Sequence, residues 1–173
     1  MSEVEIRKAT KEDAETILRI WQECADWFAS KGLMHWKNAN FSIQSILLSL
    51  EKEEIFLIFD KGVAVGTITI SHFVPEWYEF DPSVFWKASG SAFYLKKLAV
   101  LPAHHSKGFA SKLLEFAEHK ARRENVKLLR FDAIIKGQDK LNSFYLKRGF
   151  RIMGQAITAS ENLSNFFEKQ LGD

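Results

Sequence analysis

The stretch L-A-V-L-P-A-H-H-S-K-G-F-A, from Leu98 to Ala110, decides the fold of this chain. Leu98-Ala99-Val100 has the composition of a buried strand end, and Pro102 follows in a short polar turn. The turn holds Gly108 and leads into an amphipathic helix. At a strand–turn–helix junction, backbone N–H groups without partners converge at the helix N-terminus. The stretch therefore predicts an anion-binding site.

The composition is that of an ordinary globular protein. The chain has 173 residues, of which 46% are hydrophobic and 27% charged, and a net charge of +2. This balance favours neither nucleic acid nor a membrane as a partner, and no apolar run approaches the ~20 residues of a membrane span. No signal peptide is visible, and a single cysteine excludes an internal disulfide. We therefore expect a single domain over residues 1–173, in the cytoplasm.

The spacing of apolar residues predicts an α/β protein. Antiparallel hairpins come first, and a strand–helix–strand–helix order follows, so helices should cover part of each face of the sheet. An irregular, aromatic segment at 72–90 interrupts this order. Strands are predicted at 4–6, 55–59, 63–70, 93–100, 128–135, 150–155 and 166–171, and helices at 14–28, 43–50, 110–121 and 141–145.

Three motifs together resemble one protein family. Leu95 to Ala110 reads L-x-x-L-A-V-x-P followed by x-x-x-x-x-G-x-A, and Asn142 to Phe150 reads N-S-F-Y-L-K-R-G-F. These are similar to the acetyl-CoA-binding core and to a later helical motif of the GNAT superfamily of acyl-CoA-dependent N-acyltransferases. The ending F-F-E-K-Q-L resembles the last strand of that family. The resemblance covers nearly the whole chain.

The resemblance implies both a fold and a reaction. The fold would be a GNAT fold, with a mixed central sheet, splayed parallel strands and flanking helices. The protein would move the acetyl group of acetyl-CoA, its co-substrate, directly to a primary amine of a small molecule or peptide. The sequence leaves the acceptor and the oligomeric state open, and a homodimer is among the states that it allows.

The resemblance also assigns residues to acetyl-CoA. The backbone N–H of Leu98 would face the thioester oxygen, and Val100 would pair with the pantetheine arm. Amides between His105 and Ala110 would hold the pyrophosphate, where Gly108 lets the backbone approach closely. The complete set of expected cofactor-binding residues is Leu98, Ala99, Val100, His105, Ser106, Lys107, Gly108, Phe109, Ala110, Asn142 and Tyr145.

Tyr145 is the expected general acid. A phenol can protonate the departing coenzyme A thiolate or donate a hydrogen bond to its sulfur. Asn142 lies one helical turn earlier and would contact the pantetheine arm or a bound water. A plain core tyrosine and an exposed helix asparagine are the structural alternatives for these two residues.

The strand F-Y-L-K-K-L-A-V lacks the glutamate that several enzymes of this fold carry there, so the general base is expected elsewhere. His72 ends the third predicted strand and is the candidate base, with an ordered water as the alternative. Glu76 and Glu79 could recognise a cationic amine. The expected acceptor-binding residues are Trp36, Trp77, Tyr94 and Asp132, each of which could instead serve packing or capping.

The chain departs from the family pattern in two further places. His105 stands where the loop usually has Gln or Arg, and Gln138 stands where many members have Asn. The pair His104-His105 lacks the spacing of a metal site, and no metal is expected. A catalytically silent acyl-CoA-binding module on the same fold is the alternative function, and amine-dependent release of free thiol would separate the two.

Overall fold

The structure, a computed structural model, describes residues 3–172. These residues contain four α-helices, seven β-strands and several short 3-10 turns. The helices are α1 (Ala14–Ser30), α2 (Ile43–Lys52), α3 (Phe109–Arg123) and α4 (Asp139–Lys147). The strands are β1 (Val4–Lys8), β2 (Glu54–Asp60), β3 (Val63–Ser71), β4 (Ala92–Val100), β5 (Leu128–Ile134), β6 (Arg151–Ile157) and β7 (Leu163–Gln170).

The strands form a mixed sheet in the order β1-β2-β3-β4-β5-β7-β6. β1, β2 and β3 are joined by antiparallel pairing, and β7 is antiparallel to both β5 and β6. β4 and β5 are parallel, with Ala92 opposite Leu128 and Tyr94 opposite Arg130. This confirms the predicted α/β fold with a mixed sheet and the parallel pair around the Gly108 crossover. The splay near Leu98 stays a prediction.

The described residues divide into two compact units. The first holds residues 3–71 and 95–119, and the second holds 72–94 and 120–172. β4 and α3 each contribute residues to both units. None of the helices within residues 3–172 is both long and apolar enough to cross a membrane.

Local signals shape the first unit. The Thr10 N–H donates to Asp13 Oδ2 at 2.8 Å ahead of α1, and Ser42 Oγ accepts from the Ser45 N–H at 3.1 Å at the start of α2. Lys61 and Gly62 have φ values of 49° and 80°, which is the geometry of a type I′ turn between β2 and β3. The predicted hairpin and helix starts are thereby confirmed.

One apolar face of α1 supplies much of the core of the first unit. Ile17, Ile20, Trp21 and Cys24 are buried at helical spacing, and they pack with Leu57 of β2 and with Ala99 of β4. α1 also contacts α2 and β3. The helix thereby anchors the part of β4 that leads to the predicted anion site.

An aromatic cluster organises the second unit. The segment 72–90 contains little regular structure, as predicted, but its rings are packed rather than loose. Tyr78, Phe80, Phe85 and Trp86 all lie within 5.5 Å of Phe166 of β7, centroid to centroid. Offset and edge-to-face contacts of this kind stabilise beyond their buried area. The segment is therefore held on the sheet by its own side chains.

The two closing strands differ from their predicted bounds. β7 begins at Leu163 rather than Phe166, and β6 extends to Ile157 rather than Gln155. The last strand lies between β5 and β6. Alternation of apolar residues predicts a strand but does not identify the strands beside it, because strand pairing depends on tertiary packing.

Gly154 of β6 lies against the ring of Phe85 in the aromatic segment. A Cβ built there would lie 2.2 Å from Cδ1 of Phe85. We expect Gly154→Ala to lower the free energy of unfolding by about 1–3 kcal/mol, because the ring must shift to relieve the overlap. Urea denaturation measures the change. Gly172→Ala is the control, because a Cβ there would meet no atom of residues 3–170 within 4 Å, and equal stability of both variants would contradict this packing.

Candidate active site

The middle of β4 carries a backbone irregularity. Lys97 has a φ of 50°, a left-handed conformation that costs a residue other than glycine roughly 1–3 kcal/mol. Its carbonyl oxygen accepts a hydrogen bond from Thr67 Oγ1 at 2.9 Å, and Thr67 in turn accepts one from Trp21 Nε1 at 3.0 Å. Thr67 and Trp21 are buried. A buried chain of hydrogen bonds therefore holds the irregular residue.

The ammonium of Lys97 lies in a box of aromatic rings. Its Nζ is 4.9 Å from the ring centroid of Trp36, 5.4 Å from that of Phe41 and 5.9 Å from that of Trp21. These distances are within the range of cation–π attraction. Burial lowers the pKa of the nearby His35 to about 4, and the charge of Lys97 acts in the same direction. Trp36, an expected acceptor residue, is thus part of the wall around Lys97.

β3 approaches β4 very closely at this level. A Cβ at Gly66 would lie 2.5 Å from the carbonyl oxygen of Ala99 and 3.4 Å from Cα of Val100. Only a residue without a side chain fits such a contact. The neighbouring Lys96 forms an ion pair with Glu53, and its side chain is 8% exposed. β4 is therefore packed tightly against β3 at Ala99 and Val100.

The loop after β4 has the backbone of an anion cradle. Ser106 and Gly108 have φ values of 62° and 85°, and residues 105–108 are exposed. α3 begins at Phe109, so the N–H groups of its first turn have no partners within the helix. Apart from its two chain neighbours, no residue between 3 and 172 has an atom within 4 Å of a Cβ built on Gly108. Exposed amides, the helix dipole and the charge of Lys107 fit a phosphate group.

Two side chains approach the carbonyl oxygen of Val100. His105 Nε2 lies 2.9 Å from it, and Cys24 Sγ donates to it at 3.4 Å. The His105 ring also meets the edge of Trp27, with 4.9 Å between centroids. Burial raises the pKa of the Cys24 thiol to about 12, so this cysteine is a packing residue and not a nucleophile. His105 thus binds the strand end as well as belonging to the loop.

Tyr145 is a buried residue of α4. Its ring packs against Phe131, Phe167 and Phe150, with centroids at 4.5, 5.3 and 6.3 Å. Burial raises the pKa of its hydroxyl, and the carboxylate of Asp132 acts in the same direction. The phenol is therefore protonated at neutral pH, the state that can donate a hydrogen bond.

Asn142 joins α4 to two strands. Its Nδ2 donates to the carbonyl oxygens of Ile134 at 3.0 Å and of Gln138 at 2.9 Å, and its Oδ1 accepts from Asn165 Nδ2 at 2.9 Å. These three bonds use both amide hydrogens and the amide oxygen. The side chain therefore positions the helix that carries Tyr145.

Asp132 is a deeply placed carboxylate of β5. Tyr78 donates to its Oδ1 at 2.7 Å. Burial raises its pKa, while hydrogen bonds from Tyr78 and Trp77 act in the opposite direction. The hydrogen bond from Tyr78 agrees with the capping alternative for Asp132, and its role toward the acceptor stays a prediction.

Tyr94 lies beside a buried ion pair. Arg130 Nη1 donates to its hydroxyl at 3.4 Å, Arg130 Nε donates to Glu168 at 2.8 Å, and Arg130 Nη2 donates to the carbonyl oxygen of Ala88 at 2.8 Å. The ring of Tyr94 packs on Trp86 at 5.7 Å. These contacts tie the aromatic segment to β4, β5 and β7.

The remaining expected residues lie near the protein surface. His72 follows β3 directly, is exposed, and meets the ring of Phe93 edge-on at 5.0 Å. Trp77 is 36% exposed and packs on Tyr78 at 6.1 Å. Glu76 and Glu79 are both exposed. No three His, Cys, Asp or Glu side chains within residues 3–172 gather as a metal site would require.

The sequence did not point to Trp21, Thr67 or the irregularity at Lys97. Trp21 fits the apolar face of α1, and Thr67 fits a strand, so neither stands out by pattern. Gly66 was a usable signal, because an isolated glycine within a strand often marks a close approach of two backbones. A positive φ at a lysine has no sequence signature.

Known proteins match both the sequence and the fold. Residues 16–150 match the family described as the acetyltransferase (GNAT) family. The N-acetyltransferase YesJ of Bacillus subtilis (strain 168) is 28% identical over 167 residues, which cover 94% of this chain and 88% of YesJ.

Solved structures of the family share the fold. A GNAT acetyltransferase of Listeria monocytogenes has a TM-score of 0.77 at 22% identity, with 97% of this chain and 95% of that one covered. The PaiA N-acetyltransferase of Thermoplasma acidophilum, in complex with coenzyme A, has a TM-score of 0.73 at 19% identity, with 98% and 99% covered. YncA of Salmonella typhimurium, with its cofactor acetyl-CoA, has a TM-score of 0.68 at 19% identity, with 98% and 95% covered.

A family match over most of the chain, on a mixed sheet whose fourth strand leads through a glycine loop into a helix, settles the assignment: this chain belongs to the GNAT family of acetyltransferases.

Proposed function

We propose that this protein transfers the acetyl group of acetyl-CoA directly to a primary amine of a small molecule or peptide. The observation that carries the proposal is the loop after β4, where Ser106 and Gly108 both have positive φ values immediately before α3. Such a backbone aims successive N–H groups at a phosphate. The coenzyme A and acetyl-CoA found in the PaiA and YncA structures support the same ligand here.

In this proposal the chain holds acetyl-CoA mainly with backbone groups. Amides of residues 105–110 bind the pyrophosphate, and Ala99 and Val100 bind the pantetheine arm. The N–H of Leu98 donates to the thioester oxygen, where negative charge develops as the amine attacks. A well-aimed donor of this kind is worth about 3–4 kcal/mol in the transition state.

Tyr145 then acts on the leaving group. An ordinary thiol has a pKa of about 8.5 and an ordinary phenol one of about 10, so full proton transfer to the thiolate is unfavourable. A hydrogen bond to the developing thiolate is favourable, and the raised pKa of Tyr145 keeps the donor hydrogen in place. Asn142 contributes by fixing α4, which its three hydrogen bonds support.

The acceptor amine is proposed to meet residues of two kinds. Trp36, Trp77 and Tyr94 supply aromatic surface, and Asp132 supplies a negative charge suited to an ammonium group. The hydrogen bonds from Tyr78 and Trp77 to this carboxylate support the role, because they lower its pKa and favour its charged form. His72, or an ordered water, takes the proton that the amine releases.

The proposal also covers the domain organisation, location and partners of the protein. We infer that residues 1–173 form one domain, because the family match spans residues of both compact units. The free, buried Cys24 is consistent with a cytoplasmic location. Near-neutral net charge gives no reason to expect a nucleic-acid partner.

The first test concerns the pyrophosphate loop. Gly108→Asp should weaken acetyl-CoA binding at least ~10-fold, or ~1.4 kcal/mol, because it adds a negative charge to the proposed phosphate site. Isothermal titration calorimetry measures the affinity. Gly62→Asp is the matched control, since Gly62 also has a positive φ and open space around its Cβ. Equal affinity of the two variants would remove the loop from the cofactor site.

The second test concerns Tyr145. Tyr145→Phe keeps the ring and its packing but deletes the hydroxyl. We expect kcat to fall by ~10²-fold or more while the dissociation constant of acetyl-CoA changes little, because the hydroxyl acts as charge develops on sulfur. Release of free thiol in the presence of an amine measures the rate. A wild-type rate, with chemistry rate-limiting, would make Tyr145 a packing residue.

The third test concerns the base. If His72 accepts the amine proton, His72→Ala should lower kcat by about 10²-fold, and added imidazole should restore part of the rate. His119→Ala, which removes an exposed histidine of α3, is the control. An unchanged kcat in the His72 variant assigns the proton to ordered water instead. Binding of acetyl-CoA without any amine-dependent release of free thiol would favour the silent acyl-CoA-binding module.

A further inference from the structure

The Thr67 hydroxyl donates a hydrogen bond to the peptide group between Lys97 and Leu98 in β4. The carbonyl of Lys97 and the N–H of Leu98 belong to the same peptide group, which is planar and trans, so the two point in opposite directions. Thr67 Oγ1 holds the carbonyl at 2.9 Å. Fixing that carbonyl therefore also fixes the direction of the Leu98 N–H, which points away from Thr67.

We propose that Thr67 and Trp21 are positioning residues for catalysis: together they orient the Lys97–Leu98 peptide so that the Leu98 N–H is aimed at the thioester oxygen. This inference rests on the proposed function, which assigns that N–H to the thioester. Neither residue touches acetyl-CoA in this proposal. Both act through the backbone of β4.

The direction of each hydrogen bond follows from chemistry. An indole N–H only donates, so Trp21 Nε1, at 3.0 Å, donates to the Thr67 oxygen. A carbonyl oxygen only accepts, so the single hydroxyl hydrogen of Thr67 goes to Lys97. The relay therefore has one arrangement, and the hydroxyl cannot rotate without leaving a buried group without a partner.

Burial makes the relay stiff. Thr67 is 0% exposed and Trp21 is 4% exposed, so water does not replace either bond when it breaks. The relay also holds Lys97 against its own preference, since a φ of 50° is unfavourable for lysine. Without the relay, we expect the peptide to turn toward an ordinary extended conformation and to carry the Leu98 N–H with it.

Contacts of the Lys97 side chain also help to hold the backbone of this residue in place. The aromatic box of Trp36, Phe41 and Trp21 holds the ammonium. Trp21 thus serves twice, because its N–H supports Thr67 while its ring faces Lys97. A preorganised donor stabilises a transition state best when it needs no reorientation as the reaction proceeds, and this arrangement provides that condition.

Thr67→Val tests the relay, because valine has the shape of threonine without the hydroxyl. We expect kcat to fall at least ~10-fold while the dissociation constant of acetyl-CoA stays within about 2-fold of the wild type. Thr67→Ser, which keeps a hydroxyl, should retain most of the rate. The matched control is Thr69→Val on the same strand, because Thr69 is buried and its hydroxyl has no hydrogen-bond partner among residues 3–172.

A spectroscopic measurement separates positioning from a general loss of structure. The carbonyl band of bound acetyl-CoA, labelled with ¹³C at the thioester carbon, should move to lower frequency in the wild type, because a donor polarises the C=O. This shift of the carbonyl band to lower frequency should be smaller in Thr67→Val and should remain in Thr67→Ser and Thr69→Val. If Thr67→Val fails to fold, Trp21→Phe is the second variant, and we expect it to show a smaller displacement than the wild type.

The outcomes distinguish the relay from the proposed function. If the carbonyl band is shifted in the wild type and equally shifted in Thr67→Val, the positioning role of Thr67 is wrong while the proposed function stands. A wild-type enzyme that binds acetyl-CoA without any displaced band contradicts the Leu98 donor and the relay with it. A failure of acetyl-CoA to bind contradicts both as well. Equal losses in Thr67→Val and Thr69→Val would show that only packing was disturbed.

Discussion

The hydrogen bond from Thr67 to the carbonyl of Lys97 connects the packing of the first unit to its proposed chemistry. A left-handed residue in the middle of a strand persists only when its surroundings determine it fully. Here Thr67 donates to the carbonyl of Lys97 and is itself held by Trp21, while aromatic rings surround the Lys97 ammonium. Gly66 allows β3 to come close enough for these contacts to form. The core of the unit and the proposed oxyanion donor therefore share one set of interactions.

The second unit depends on a buried ion pair in a similar way. The side chains of Arg130 and Glu168 are 8% and 4% exposed, and the guanidinium also holds the carbonyl of Ala88. Such a pair adds little net stability over a well-packed apolar core, but removing one partner alone costs about 3–5 kcal/mol. Its effect here is to specify where the aromatic segment docks. Asp132, which is one of the proposed acceptor residues, is likewise tied to the aromatic segment by its hydrogen bond from Tyr78.

Several elements were predictable from the sequence because their signals are local. The Lys61-Gly62 turn, the Ser42 cap and the glycine that follows α4 each depend on the residues beside them. The loop around Gly108 was equally readable, since a strand end, a turn and an amphipathic helix follow one another directly. The order of the last two strands was not readable, because pairing partners depend on packing that a strand pattern does not encode.

By itself, the sequence determined the fold family and the position of the strand–turn–helix junction at Gly108, because both depend on periodicity and on residues adjacent in the chain. Only the tertiary structure decided what the individual side chains do. Asn142 matched a family motif, and three hydrogen bonds commit it to holding α4. Thr67 matched nothing, and it holds the peptide that precedes the proposed donor. The physical reason is that Trp21, Thr67 and Lys97 are distant along the chain, so their hydrogen bonds and their shared burial exist only once α1, β3 and β4 have packed together.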